Sequence, residues 1–331
     1  MGDSHRQPVA DAAIPQLVGD ANVSVDVDSL DCYRAIHGLP PGERGTPDPV
    51  VTTGIDRALQ LFDECDLPAT FFVVGRDLEV EQHCRRVERI ADAGQEVANH
   101  SLDHRYDLRR LPDMELAHQI KGAHRRIAEV TGEEPVGFRT PGYNVDADVI
   151  AFCRRAGYRY DASVFPCPTY WLAKRAVMAW RSVRGMPSRS DATDPHNLLA
   201  PNEPYFPHPL DCWQPADSPS GFVEIPVAAF ALGLIPVIGT SAHLLDTVGF
   251  HRLWPLIDAG FPRFFSFEMH AIDFVDATDI EHVADAAELV AHQPDLRIPW
   301  EKKDKRYRRI FEAIGGDRRP VTLAEATSRL A

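Results

Sequence analysis

Short apolar runs alternate with amphipathic stretches through most of this chain, and that alternation limits the possible folds more than any other feature. Val23, Val25 and Val27 alternate with Ser24, Asp26 and Asp28 in the two-residue period of a strand. Six further strand-like runs follow, at 68–75, 95–98, 136–139, 158–161, 221–227 and 262–269. Helical patterns lie between them. Ile55, Leu59, Phe62 and Cys65 fall on one face; later patterns cover 84–93, 113–130, 146–156 and 244–259, the first ending at Gly94, the second stopped by Thr131 and Gly132 and the third closed by Gly157. Strand–helix alternation predicts an α/β fold with a parallel sheet or barrel, and functional groups at the C-terminal ends of its strands.

The formal charge of −14 over 331 residues argues against a nucleic-acid partner. The six cysteines form no Cys-x-x-Cys pair, which argues against a zinc ribbon or a redox motif. Residues 1–10 have no apolar signal region, and no apolar run has the length of a membrane span. The expectation is a cytoplasmic protein with reduced thiols. Residues 1–20 read as a flexible leader and 21–331 as one domain, with a helical C-terminal extension over about 280–331.

Between 165 and 220 the chain is dense in proline and reads as a surface insertion. Its first part, 171–184, has a helical pattern with only positive charges, and no acidic residue occurs between Asp161 and Asp191. One reading is a helix on an anionic membrane or over a phosphate-bearing substrate. The other, taken as the expectation, is an amphipathic helix with its apolar side packed on the barrel.

Side chains at i and i+2 of a strand point the same way, so Asp26 and Asp28 project together. Two adjacent carboxylates repel unless a cation or a shared proton intervenes; otherwise they are a strand end in solvent. His100 and His104 stand four apart directly after a strand. On a helical turn they would share a face, at a spacing that suits one metal ion. Asp28 completes a two-histidine, one-carboxylate set with open positions for water and substrate.

The VDVD at 25–28, the NHSLDH at 99–104, the FRTPGY at 138–143 and the EMHAID at 268–273 occur in an order that resembles the polysaccharide deacetylases, the NodB-homology group of carbohydrate esterases. The resemblance covers roughly 22–161 and 222–274. It implies a deformed (β/α) barrel of seven strands. It implies one divalent metal, Zn2+ first and Co2+, Ni2+, Fe2+ or Mn2+ also tolerated, on Asp28, His100 and His104. Asp26 would be the general base, held by Arg139, and His270 the general acid for the departing amine. The oxyanion would be met near Gly142 or Tyr143, with Asp161 near the same mouth. Taken singly, Arg139 could be a structural ion pair, His270 a core histidine and Tyr143 a packing residue.

Two departures stand out. Gly142 occupies a position where the family's third motif has tyrosine. The Asp-Trp pair whose aspartate tunes the catalytic histidine is missing, which leaves the partner of His270 open. Glu224, Glu268, His243 and Asp273 are further pocket candidates. The expected function is removal of an N-acyl group, acetyl or formyl, from an amino sugar or glycan. An intracellular or lipid-linked saccharide, with peripheral membrane contact, fits the basic helix. The alternatives are hydrolysis of a non-sugar amide or cyclic imide, or a carbohydrate-binding relative without catalysis. The oligomeric state is not legible.

Overall fold

The structure is a computed structural model that describes residues 14–183, 185, 194–246, 249–261 and 263–330. Seven strands form a curled parallel sheet: β1 (Asp20–Val27), β2 (Ala69–Val73), β3 (Glu96–Asn99), β4 (Gly137–Phe138), β5 (Tyr160–Asp161), β6 (Val223–Glu224) and β7 (Phe264–His270). Their spatial order is β7-β1-β2-β3-β4-β5-β6, with the short strand Arg319–Pro320 also paired to β1. Near the two ends of this path the Ala228 N–H donates to the Ser266 carbonyl at 3.0 Å. The result is the deformed barrel expected of the sequence.

Helices cover the outside: α1 (Leu30–His37), α2 (Ile55–Glu64), α3 (Glu81–Asp92), α4 (Asp113–Thr131) and α5 (Ala147–Arg155). Asp146 caps α5 by accepting the Val149 N–H at 3.0 Å. The chain continues through α6 (Pro168–Val183), α7 (Gly239–Asp246), α8 (Phe250–Ala259), α9 (Ala286–His292), α10 (Trp300–Asp317) and α11 (Leu323–Ser328). A hairpin of Pro207–His208 with Asp211–Pro215 belongs to the proline-dense stretch.

The two faces of the sheet differ in chemistry. Val23, Val25 and Val27 join Phe71, Val73, Phe267 and Met269 in the core under the helices. The alternate residues Asn22, Ser24 and Asp26 are also buried, but among polar groups. Asn22 donates to Thr70 Oγ1 at 3.2 Å and to the Val321 carbonyl at 2.9 Å. Asp26 and Asp28 are therefore not a solvated strand end; both are buried at its mouth.

Four expectations need correction. Of the leader at 1–20, residues 1–13 lie outside the described residues, while Ile14 and Leu17 are buried against Phe72 and Ile225. The helix expected at 244–259 is two helices, interrupted before Gly249, whose φ of 89° suits glycine and breaks a helix. His100 and His104 stand in a loop, not on a helical turn. The fourth concerns α6. It borders the pocket with Tyr170, Ala173, Lys174, Val177, Met178 and Arg181, while Leu172, Trp180 and Val183 are exposed away from it. The expected apolar side thus faces the barrel only in part, and a second apolar strip stands outward.

Candidate active site

β1 lies between β2 and β7, and its register with β7 builds one side of the site. Ser24 is opposite Glu268, and Asp26 is opposite His270. Aligned residues of parallel strands share a face, as do residues two apart. Ser24, Asp26, Glu268 and His270 therefore form one polar cluster at the C-terminal edge.

Arg139, just after β4, reaches behind this cluster. Its Nη1 donates to Asp26 Oδ1 at 2.5 Å, Nη2 to Ser24 Oγ at 3.0 Å and Nε to the Ala162 carbonyl at 2.8 Å. The guanidinium also lies over the Phe72 ring, 4.0 Å from its centroid. A fully buried arginine so held fixes the Asp26 carboxylate in one orientation.

His100 follows β3. Asn99 anchors the loop by donating to the Ile120 carbonyl and the Tyr158 hydroxyl, and by accepting the Ser101 N–H. Ser101 and His104 adopt left-handed φ values of 66° and 51°. Such conformations cost non-glycine residues energy and gather at functional loops. They bring the two imidazoles to a centroid distance of 5.0 Å.

Asp28 Oδ1 lies 3.5 Å from His100 Nε2 and 3.1 Å from His104 Nε2. It is buried and accepts no hydrogen bond. His100 Nδ1 faces the Arg139 carbonyl at 2.9 Å, so a neutral ring donates from Nδ1 and presents the Nε2 lone pair to Asp28. Burial, aided by His104 and Arg139, outweighs the pull of Asp26 and Asp28 and lowers the His100 pKa to about 4. Burial would raise the Asp28 pKa, but the three neighbouring histidines outweigh it and hold the carboxyl well below its usual range. A neutral imidazole and an ionised carboxylate are the forms that bind a divalent cation. Ligand atoms about 2.0–2.2 Å from one Zn2+ stand roughly 3–3.5 Å apart, so this triad fits such an ion.

Glu268 answers the question of what faces His270. Its Oε1 is 3.2 Å from His270 Nδ1 and accepts the Tyr143 hydroxyl at 3.0 Å. His270 Nε2 points the other way, 3.7 Å from Asp28 Oδ2. Burial disfavours the imidazolium, but Glu268, Asp28 and Asp26 outweigh it and carry the His270 pKa up to about 9. Burial likewise pushes Glu268 upward.

Asp26, Asp28, His100, His104, Gly142, Tyr143 and His270 line one pocket of ≈ 330 Å³. Tyr33, Tyr106 and Tyr170 add aromatic walls, and Lys174 and Arg181 come from α6. Gly142 and Tyr143 form a tight turn with φ of 65° and 63°. A Cβ at Gly142 would stand 2.5 Å from the Tyr106 ring, which accounts for glycine there. The Tyr143 N–H is directed at the Thr140 carbonyl at 3.3 Å, and Lys174 donates to the Gly142 carbonyl at 3.2 Å.

Asp161 does not join the pocket lining. It accepts the Ser163 N–H and hydroxyl at 3.0 and 2.8 Å, and Ser163 Oγ accepts the Thr140 N–H at 2.8 Å. Its neighbour Glu224 accepts the Val164 N–H at 2.9 Å. Asp161 thus braces, through Ser163, the loop that carries Arg139, and Glu224 braces the segment after β5. Asp273 accepts the His270 backbone N–H at 2.9 Å instead of facing the pocket. The side chain of His243 lies outside what is described.

Residues 45–160 match the polysaccharide deacetylase family model. Over that stretch the chain is similar to the NodB-homology polysaccharide deacetylases. Among curated members of this kind, the peptidoglycan deacetylase-like protein FGM2 of Gibberella zeae is 30% identical over 113 residues, covering 34% of this chain and 32% of that protein. The peptidoglycan deacetylase of Helicobacter pylori is 28% identical over 146 residues, covering 42% and 47%. The chain thus spans about a third to a half of the length of the curated deacetylases it matches. A crystal structure from Mycobacterium smegmatis, assigned to the polysaccharide deacetylases, covers 98% of this chain and 94% of its own with a TM-score of 0.57. At 17% identity that likeness concerns the deacetylase fold alone.

Proposed function

We propose that this chain is a metal-dependent amidohydrolase that removes an acetyl or formyl group from the nitrogen of an amino sugar. The observation that carries this reading is the convergence of Asp28, His100 and His104 between two proton-handling groups, Asp26 on one side and His270 on the other. A divalent cation bound by that triad would polarise the amide carbonyl and lower the pKa of water.

The chain's own groups supply the rest. Asp26, fixed by Arg139, accepts the proton of the attacking water at its Oδ2, the oxygen that Arg139 leaves open. His270 protonates the departing nitrogen from Nε2, since an amine leaves poorly until protonated. Glu268 holds the opposite ring nitrogen and keeps the imidazole charged for that step. The turn at Gly142 and Tyr143 faces the developing oxyanion from the rim.

The pocket supports a small substrate. Its volume is at the low end of the range of about 300–1,000 Å³ usual for ligand sites. Aromatic walls suit the apolar faces of one sugar ring. A single amino sugar or a chain end is the favoured form, free or carried by a lipid. The same compact aromatic pocket favours a second reading, hydrolysis of a small amide or cyclic imide.

Two experiments test this. Acetate and formate release should be followed across N-acyl sugars, small amides and cyclic imides, with the metal measured by elemental analysis. Asp26→Asn should lower kcat by about 10²–10⁴-fold while the bound metal remains. Full turnover in that variant removes the assigned base. A protein that binds glycans but holds no metal and releases no acyl group supports the non-catalytic alternative.

A further inference from the structure

We propose that α6 docks on an anionic lipid bilayer, so that the pocket it borders opens beside the membrane surface. The helix carries apolar residues on its outward face as well as on the face toward the pocket. Tyr170, Lys174, Met178 and Arg181 turn to the pocket. Outward stand Leu172, Trp180 and Val183, outside the pocket lining, with relative exposures of 59%, 50% and 89%. The Thr169 hydroxyl donates to the Leu234 carbonyl at 2.7 Å, which brings the exposed Leu234 and Ile235 beside the same helix. Large apolar groups gathered in this way, tryptophan among them, mark an interaction surface.

Charge selects the occupant. The chain carries −14, yet α6 contains two arginines and a lysine and no acidic residue. Arg175 is exposed, with its guanidinium 4.6 Å from the Trp171 ring centroid. With Lys174 and Arg181 turned to the pocket, Arg175 is the exposed cation beside an apolar strip on a helix with no acid, and this matches an anionic bilayer, whose headgroups meet the guanidinium while the strip enters the acyl boundary. A second copy docked through this face would set Arg175 against its own counterpart with no acid of the helix between them, which is repulsive. The inference is independent of the hydrolytic reading, because it concerns the outward face only.

The full chain should be mixed with vesicles of phosphatidylcholine and with vesicles of phosphatidylcholine and phosphatidylglycerol, then sedimented. We expect roughly tenfold more protein with the anionic vesicles, and a blue shift of tryptophan emission. The paired change Trp180→Ser with Val183→Ser, both outside the pocket lining, should abolish the difference with the charges intact. A thermal melt establishes that the variant is folded, and the wild-type comparison stands without it. Equal and negligible binding to both vesicle types overturns the proposal. So does binding that survives the paired change, or a dimer in solution that the paired change dissociates.

Discussion

Glu268 has no exposed surface and is packed against four charged or polar partners, so its carboxylate is costly unless it serves them. Glu268→Gln should leave the substrate KM nearly unchanged and lower kcat by about 10- to 100-fold. It should also move the alkaline limb of the rate profile to lower pH. The sign follows from charge: losing an anion beside His270 lets the imidazolium release its proton sooner. A steady-state pH profile of both proteins checks this. Glu268 was legible only in outline. It stands two residues before His270 on one strand, the same i, i+2 relation that pairs Asp26 with Asp28. The histidine spacing pointed to one ion for a helical reason that does not hold here. What joins the two rings is backbone at positive φ, and no periodicity encodes that. Gly142→Ala tests the other tight position: the left-handed φ and the Tyr106 ring should cost about 1–3 kcal/mol, read by denaturant unfolding.

At the scale of elements, strands read better than loops. The seven strands were visible because each is an apolar or alternating run between breakers, although β4, β5 and β6 prove to be only two residues long. α6 was legible as a helix but only partly in its facing, because periodicity locates apolar residues and does not say which of them are covered. Between β5 and β6, Asp161 and Glu224 form a buried carboxyl pair with a consequence for stability. Burial raises the Asp161 pKa to about 6, and it pushes Glu224 upward as well. An unfolded aspartate titrates near 3.9, so the folded state holds the extra proton. That contribution is complete below about pH 4 and is lost as pH rises through about 6. The melting temperature of the metal-free protein should therefore fall between about pH 5 and 7. The double change Asp161→Asn with Glu224→Gln should flatten that slope, as calorimetry would record.

For the whole molecule, the curled sheet gathers residues from opposite ends of the chain: Asp26 and His270 are far apart in sequence yet adjacent in register. A cation on Asp28, His100 and His104 would tie β1 to the loop after β3. Chelation should then lower the melting temperature by about 5 °C or more, with recovery on adding metal. Among the described residues no helix is long and apolar enough to cross a membrane. The order of motifs along the chain carried the fold; the wall that α6 adds to the mouth came from a stretch with no motif at all.

That wall reaches from the Gly142 carbonyl, held by Lys174, to Arg181, whose charge acts on His37 at the end of α1. Among the described residues, α6 therefore borders one side of the entrance and narrows the approach of a long glycan. On the hydrolytic reading proposed above, a polymer would then be met at its termini, and partial digests should show a single altered end instead of scattered ones.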